Sequence, residues 1–585
     1  MAPPKKTVCV IGAGESGLAA LKECVLQGLE PTCYDLDSDI GGLWHRKESY
    51  EHSNTPAVWP SLVTNNSKYN MCFSDFPPDP RDPMFISPEQ LMDYFKRAIK
   101  HFDMGKYIYL NTRVVKVREA PDHNLTGKWE VYTSPNDVDS ATIDLSRCRK
   151  ETFDNVIVCS GWFKRPYYPD IPGLKDFKGS ISHSFTYSDS RHFDKKKVLV
   201  VGNRFSAAEI ASDVANLAEQ TFLALGKGTW IVPRLFRGGT PLDYNFSRSM
   251  VWSTDPEFDF NELVMREACG KMDHFGSGVG CKENPASSPV SISDDLPVKI
   301  AGGKIKPYGH LIEIKGNSAM FQEGNTIQNL DAVIFCTGYR SDVSFLDLKI
   351  HDDDGKMDMY LMAFPLNRKH NTLAVVGYYG SDGPMVVLGE NQARLAASVM
   401  AGSHSLPSQE VMARSVEFWN KASYARRPGF HKYGIPGFAF MDAIALEGGF
   451  YPSFWKLLLR DPTLAWYTWY GPYMAAQYRL LGPGSQWEKA REVCYIGYKE
   501  GLQCIRHAEK KMVDRPDIRR RRKTRIVRLL GLSVFMQCIG SGLSPELTAP
   551  YIKRLKSQFL AETQILHPTR FKEENSPSDF PGSVN

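Results

Sequence analysis

The chain is 585 residues long, with 71 Lys plus Arg against 66 Asp plus Glu, a net charge of +5, 42% hydrophobic and 23% charged residues. Those proportions exclude wholesale disorder, and so slight a positive excess argues against a nucleic-acid-binding protein. Twelve cysteines are scattered with no C-x-x-C and no Cys/His cluster, which argues against a disulfide scaffold or a metal site and for reduced thiols.

At the start, Met1-Ala2-Pro3-Pro4-Lys5-Lys6 runs straight into Thr7-Val8-Cys9-Val10-Ile11, with no separate apolar region or cleavage site, so no secretory leader is expected. Residues 7–11 are a short apolar, largely β-branched run ending at glycine, the pattern of a buried parallel strand. Gly12-Ala13-Gly14-Glu15-Ser16-Gly17 then leads into the helical pattern Leu18-Ala19-Ala20-Leu21-Lys22-Glu23-Cys24. This is G-x-G-x-x-G at a strand-to-helix junction. Gly12 allows the tight turn, Gly14 lets the backbone approach a pyrophosphate, and Gly17 lets helix and strand pack closely. The helix N-terminus offers free N–H groups to phosphates. A second strand, Thr32-Cys33-Tyr34, delivers Asp35, 23 residues after Gly12, where an acid accepts a ribose hydroxyl. Gly41-Gly42-Leu43-Trp44 follows, two glycines that let the chain pass beside a cofactor and an indole that walls it.

Further along, Lys197-Val198-Leu199-Val200-Val201 and Gly202-Asn203-Arg204-Phe205-Ser206-Ala207-Ala208-Glu209 repeat the spacing, with Arg204 at the second glycine and Ala207 at the third. Alanine is tolerated at the third place. Arginine puts a side chain at the point of closest backbone approach, and two readings stay open: Arg204 grips a phosphate, or the site is weakened. Val156–Gly161 and Ala332–Tyr339 are each an apolar strand ending in a small-residue turn. Together these predict an α/β fold with two Rossmann-like dinucleotide-binding domains, the second inserted in the first, and a helical C-terminal extension. The first domain is expected over 1–195 plus 330–450, the second over 196–329, and the extension over 451–585. Residues 240–300 show no strand rhythm and are expected to form an insertion along the substrate path.

With these motifs in hand, the sequence resembles the flavin-containing monooxygenases of the animal microsomal type. Phe177-Lys178-Gly179-Ser180-Ile181-Ser182-His183-Ser184-Phe185-Thr186-Tyr187 matches the family's F-x-G-x-x-x-H-x-x-x-Y signature. Thr64-Asn65-Asn66-Ser67-Lys68 with Met71–Pro77 resembles its flavin-side segment, Cys336-Thr337-Gly338-Tyr339 its A-T-G-Y turn, and Tyr478–Gly484 with Trp487 its C-terminal region. The resemblance covers roughly residues 5–500. It implies FAD and NADPH as cofactors, and O2 with small lipophilic N- or S-containing molecules as substrates. It also implies a cycle in which NADPH reduces FAD, a flavin hydroperoxide forms, and a soft nucleophile takes its terminal oxygen. On this resemblance FAD contacts are expected from Gly12 to Gly17, Asp35, Gly42, Leu43, Trp44, Thr64, Asn65 and Asn66, with Asn65 as the catalytic amide beside the flavin. NADPH contacts are expected from Gly202, Arg204, Ser206, Ala207, Ala208, Glu209, Lys227, Thr337 and Gly338.

The departures gather on the nicotinamide side. The family has glycine where Arg204 stands, arginine where Phe185 stands, and paired basic residues where Gly226-Lys227-Gly228 leaves only Lys227; Arg234 and Arg237 lie near enough in sequence to compensate. His183 is read as a brace for a turn, and Asp294-Asp295 as a helix cap. No stretch reaches the roughly 18 uninterrupted apolar residues of a spanning helix. The basic block Asp517–Arg525 beside the apolar Ile526–Met536 reads instead as a peripheral or monotopic membrane contact. By resemblance this is expected on the cytoplasmic face of the endoplasmic reticulum, with a cytoplasmic location as the alternative. Glu573–Asn585 is expected to be disordered, and homo-oligomerisation stays open. Two rival readings remain: Baeyer–Villiger or NADPH oxidase activity on the same fold, and a flavoprotein with impaired NADPH use serving as an interaction protein.

Overall fold

A computed structural model describes residues 4–47, 50, 53, 55–135, 144–236, 238–253, 255–350, 357–426 and 434–505. The basic block and apolar segment at 517–536, the end at 573–585, and Arg237 lie outside the described residues.

Two five-stranded parallel sheets carry the architecture. In the first, Thr7–Ile11 is central, flanked by Glu30–Tyr34 and Asn155–Val158, with Ile108–Tyr109 and Leu373–Val375 at the edges. Its central strands are largely apolar because both faces of such a sheet are covered; Val8, Cys9, Val10, Val156 and Ile157 are fully buried. The helix Glu15–Leu26 packs against the sheet and against the helix Met385–Ala401.

The second sheet repeats the plan. Lys197–Val201 is central, flanked by Gln220–Ala224 and Ala332–Phe335, with Ile305–Tyr308 and Ser180–His183 at the edges. Each sheet's chain also makes a three-stranded antiparallel excursion, over Thr112–Phe153 in the first and Leu311–Ile327 in the second. The expected domain edges at 195 and 330 therefore shift. Ala332–Phe335 flanks the central strand of the second sheet, and Ser180–His183 pairs with Ala332–Phe335 at its edge. The chain rejoins the first sheet only at Leu373–Val375.

The segment 240–300 is more regular than its sequence pattern suggested. It holds the helix Pro256–Cys269, capped by Asp255, whose carboxylate accepts the Phe258 N–H at 2.9 Å. It also holds the strand Val290–Ile292, paired in parallel with Trp230–Val232. The described C-terminal part is helical, with helices at Gly437–Glu447, Phe454–Leu458, Pro462–Tyr470 and Trp487–Gly501. Among the described residues no helix is long and apolar enough to cross a membrane.

Candidate functional site: two nucleotide turns and the segment between them

In the first turn Gly12 adopts φ +104°, and a Cβ there would lie 2.5 Å from the Cys159 carbonyl oxygen. A Cβ on Gly17 would lie 1.7 Å from the Gly12 oxygen. Both positions admit glycine alone. Gly14 differs. Its φ is −72°, and a Cβ would meet only Gly42, its Cα and N at an ordinary 3.6 and 3.9 Å. Neither backbone strain nor packing requires glycine at 14, so the bareness serves whatever approaches from outside, as a diphosphate would. The helix behind it starts with no side-chain cap, leaving its first N–H groups for an anion. These residues fit FAD.

Asp35 ends the second strand as expected, and both of its oxygens are engaged. Oδ2 accepts the Ala13 N–H at 2.5 Å and Oδ1 the Asp37 N–H at 2.7 Å. Burial raises its pKa while these two donors oppose the shift. Each carboxylate oxygen keeps a further lone pair for a ribose hydroxyl. Gly41 docks on the turn by donating to the Ala13 carbonyl at 2.9 Å. Trp44, expected as an apolar wall, also donates its indole N–H to Glu15 at 3.0 Å. Burial raises the Glu15 carboxyl and this bond opposes it. Leu43 is half-buried beside them. Ser16 lies against two glycines that the sequence reading passed over: a Cβ on Gly377 would come within 2.2 Å of its Oγ, and one on Gly389 within 3.0 Å.

The second turn copies the first where packing dictates. A Cβ on Gly202 would lie 2.6 Å from the Cys336 oxygen, as Gly12 meets Cys159. Thr337 and Gly338 continue from Cys336 and are stapled to the strap 165–168: Thr337 Oγ1 donates to the Tyr167 carbonyl, and Tyr167 N–H donates to Gly338. Ala207 and Ala208 are buried against the strand, and Ser206 is half-buried at the helix start. Arg204 occupies the N-cap with φ −128°, ψ −172°, extended backbone that any residue adopts, and no side chain caps this helix either. The arginine thus imposes no backbone strain. Lys227 stands exposed on the turn after the next strand.

Arg234 does not compensate at that turn. Its buried guanidinium is committed to Glu209 at 2.9 Å and Asp294 at 3.0 Å, and its Nε donates to the Thr64 carbonyl at 3.3 Å. Glu209, expected at the nucleotide, is thereby an ion-pair partner; burial still raises its pKa, with Arg234 opposing. The cap expected from Asp294-Asp295 is also corrected. Asp294 faces Arg234, and it is Ser293 Oγ that accepts the Leu296 N–H, at 3.2 Å. Ser293 takes the N–H of the first helical residue; Asp294 is drawn away by the stronger charge-assisted bond.

Between the two units lies the segment carrying Asn65. Thr64 Oγ1 donates to the Asn66 carbonyl and accepts the Ile86 N–H, both at 3.0 Å. The Asn65 amide oxygen is buried with no partner among the described residues, an acceptor left for a ligand. Sequence reasoning missed Asp243. Its Oδ2 accepts from Ser67 N at 3.0 Å, Ser67 Oγ at 2.6 Å and Asn70 Nδ2 at 2.8 Å. Burial raises its pKa, with the Ser67 and Asn70 donors opposing.

His183 is a brace. It is fully buried between the Tyr168 and Tyr339 rings, and its Nδ1 accepts the Phe185 N–H at 3.0 Å. Burial pushes its pKa down to about 4, so the ring is neutral. A second missed feature anchors the first helix. Lys22 Nζ lies 2.7, 2.7 and 2.6 Å from Glu23, Asp75 and Glu390, all buried, and fills the centre where three such carboxylates could hold a metal ion. Arg479 from the C-terminal part joins Asp75 at 2.8 Å and also bonds Glu23. Burial opposes ionisation of Glu23, yet Arg479 and Lys22 hold its carboxyl below the ordinary range.

Two Rossmann-like units, one inserted in the other, with a shared segment between their glycine turns, define a flavoprotein oxidoreductase of the two-dinucleotide class. The comparisons narrow this. The model of the flavin-binding monooxygenase-like family matches residues 5–539. Dimethylaniline monooxygenase [N-oxide-forming] 2 of Mus musculus is 36% identical over 501 residues, covering 83% of this chain and 90% of that protein. Among solved structures, S-allyl-L-cysteine S-oxygenase from Allium sativum aligns with TM-score 0.57 at 22% identity, over 85% of this chain and 99% of that one. NADP+-bound cyclohexanone monooxygenase from Rhodococcus sp. Phi1 aligns with TM-score 0.53 at 13% identity, over 76% of this chain and 97% of that one. The chain belongs to the flavin-binding monooxygenase family. It is a flavin-dependent monooxygenase whose cofactors are FAD and NADPH.

Proposed function

We propose that this enzyme transfers one oxygen atom of O2 to a soft nucleophilic nitrogen or sulfur in small lipophilic molecules. FAD, when bound, accepts hydride from NADPH and activates O2; the protein supplies binding, orientation and exclusion of water. The turn 12–17 receives the FAD diphosphate on its helix N-terminus, and Asp35 holds the ribose with its spare lone pairs. Gly42, Leu43 and Trp44 lie along the cofactor. The turn 202–208 and Lys227 take the nicotinamide dinucleotide, with Thr337 and Gly338 forming its far wall. Asn65, between Thr64 and Asn66, presents its amide where flavin and nicotinamide meet, able to donate from Nδ2 and accept at Oδ1.

The observation that carries the reading is the partnerless, buried Asn65 oxygen in a segment held between the two nucleotide units. The N-oxide-forming activity in the name of the mouse relative supports nitrogen as an acceptor atom. A basic block followed by an apolar segment at 517–536 supports contact with an anionic membrane surface on the cytoplasmic side of the endoplasmic reticulum. The test is stopped-flow reduction of the yellow holoprotein, followed by product analysis. NADPH should bleach the flavin, and a tertiary amine and a sulfide should yield N-oxide and sulfoxide. No bleaching at millimolar NADPH overturns the proposal, as does a ketone-derived ester as the dominant product.

A further inference from the structure

The hairpin region 234–243 belongs to the nicotinamide half, yet it grips the flavin-side segment at two points that bracket Asn65. Before it, Arg234 Nε donates to the Thr64 carbonyl. After it, Asp243 Oδ2 collects three donors, from Ser67 N, Ser67 Oγ and Asn70 Nδ2. Asp243 is completely buried, and its Oδ1 has no partner among the described residues. Three donors on one short stretch of chain offset the cost of burying this carboxyl. The same stretch begins two residues beyond the amide whose own oxygen is left open.

We propose that Asp243 is a positioning residue for Asn65: it fixes the Ser67–Asn70 stretch so that the Asn65 amide is held toward the flavin rather than turned into the loop. The assignment rests on the reading of Asn65 given above. Asp243 acts through the loop, by way of its bonds to Ser67 and Asn70. In a coupled turnover, substrate + NADPH + H+ + O2 gives oxygenated substrate + NADP+ + H2O. In an uncoupled one, NADPH + H+ + O2 gives NADP+ + H2O2. A misplaced Asn65 shifts turnover from the first to the second without affecting how hydride reaches the flavin.

The experiment compares holoprotein carrying Asp243→Ala, Asp243→Asn, Asn65→Ala, and Asp243→Ala with Asn65→Ala. The readouts are FAD content, anaerobic reduction rate, the ratio of sulfoxide to peroxide, and NADP+ affinity from its perturbation of the flavin absorbance. Asp243→Ala should lower the coupled fraction about as far as Asn65→Ala, and weaken NADP+ several-fold, with FAD content and reduction rate within about twofold. Asp243→Asn retains an oxygen for the same three donors and should restore coupling to within about twofold. The double variant should be no worse than Asn65→Ala alone, because both changes remove one device. Unchanged coupling in Asp243→Ala, multiplying losses in the double variant, or failure of Asp243→Asn to rescue would each overturn the proposal. If Asn65→Ala itself leaves coupling intact, the reading of Asn65 fails and this one with it. If only Asp243→Ala is silent, this one fails alone. Should Asp243→Ala not fold, Ser67→Ala carries the test: it removes one donor, and coupling must fall about twofold or Asp243 does not position the loop.

Discussion

The two nucleotide turns share a covalent plan but divide their requirements differently. In both, the first glycine is fixed by the protein's own packing, because a carbonyl from the neighbouring strand, of Cys159 in one and Cys336 in the other, closes the space for a Cβ. At the third position the first turn admits only glycine, whereas the second accommodates Ala207. At the second position neither turn demands glycine for itself, and only the first keeps it. Conserving space that the fold does not need marks a place reserved for a ligand. Filling it with Arg204, without strain, changes what the ligand meets and leaves the fold untouched.

The sharpest way to break this comparison is to interchange third residues. Gly17→Ala drives a Cβ into the Gly12 oxygen and should yield protein without bound flavin, or none that folds. Ala207→Gly should cost only about 1 kcal/mol in chemical denaturation, with FAD retained. Anchoring differs almost as much. Lys22→Ala leaves three buried carboxylates to share Arg479 and should cost roughly 3–5 kcal/mol. Glu209→Gln should cost far less, because its partner Arg234 keeps Asp294 and the Thr64 carbonyl. Equal costs would show that the two helices are held alike. Transplanting the second residue comes next. Gly14→Arg should reduce flavin content at least tenfold, while Arg204→Gly leaves flavin content at the wild-type value, both read from the visible spectrum.

A last effect, visible only on acidification, belongs to His183. Its folded pKa lies near 4, below the ordinary value of 6.5, so the folded state favours the neutral ring. Its contribution is complete above pH 6.5 and is lost as acid protonates the unfolded chain, up to about 1.4 kcal/mol per pH unit between 6.5 and 4. His183→Asn should flatten the acid limb of the stability profile by one proton relative to wild type; parallel profiles would contradict the burial argument.

What was legible in the sequence follows from the range of the physics. The strands at 7–11 and 197–201, and the helices after them, were legible because apolar runs and glycine spacing are local. So was Asp35, which ends a strand at a fixed interval. The edges of the inserted domain were not, since whether Ala332–Phe335 joins the first sheet or the second is decided by hydrogen bonds to a strand over 130 residues away. Asp243 carried no signal, because its three partners are contributed by residues 67 and 70 and meet it only in the folded chain. The cage around Lys22 draws on residues 22, 23, 75, 390 and 479 for the same reason. Asp294 and Arg234 misled in the opposite sense. Each had a plausible local task, and the long-range ion pair between them took precedence.

The two cysteines whose carbonyls close the glycine turns are buried, and burial drives both thiols far from ionisation. A thiolate is the form that alkylating reagents attack. Cys159 and Cys336 therefore sit as silent reporters at the hearts of the two halves: iodoacetamide reaches each only when its own sheet opens. Their separate labelling clocks would time the breathing of one nucleotide unit independently of the other.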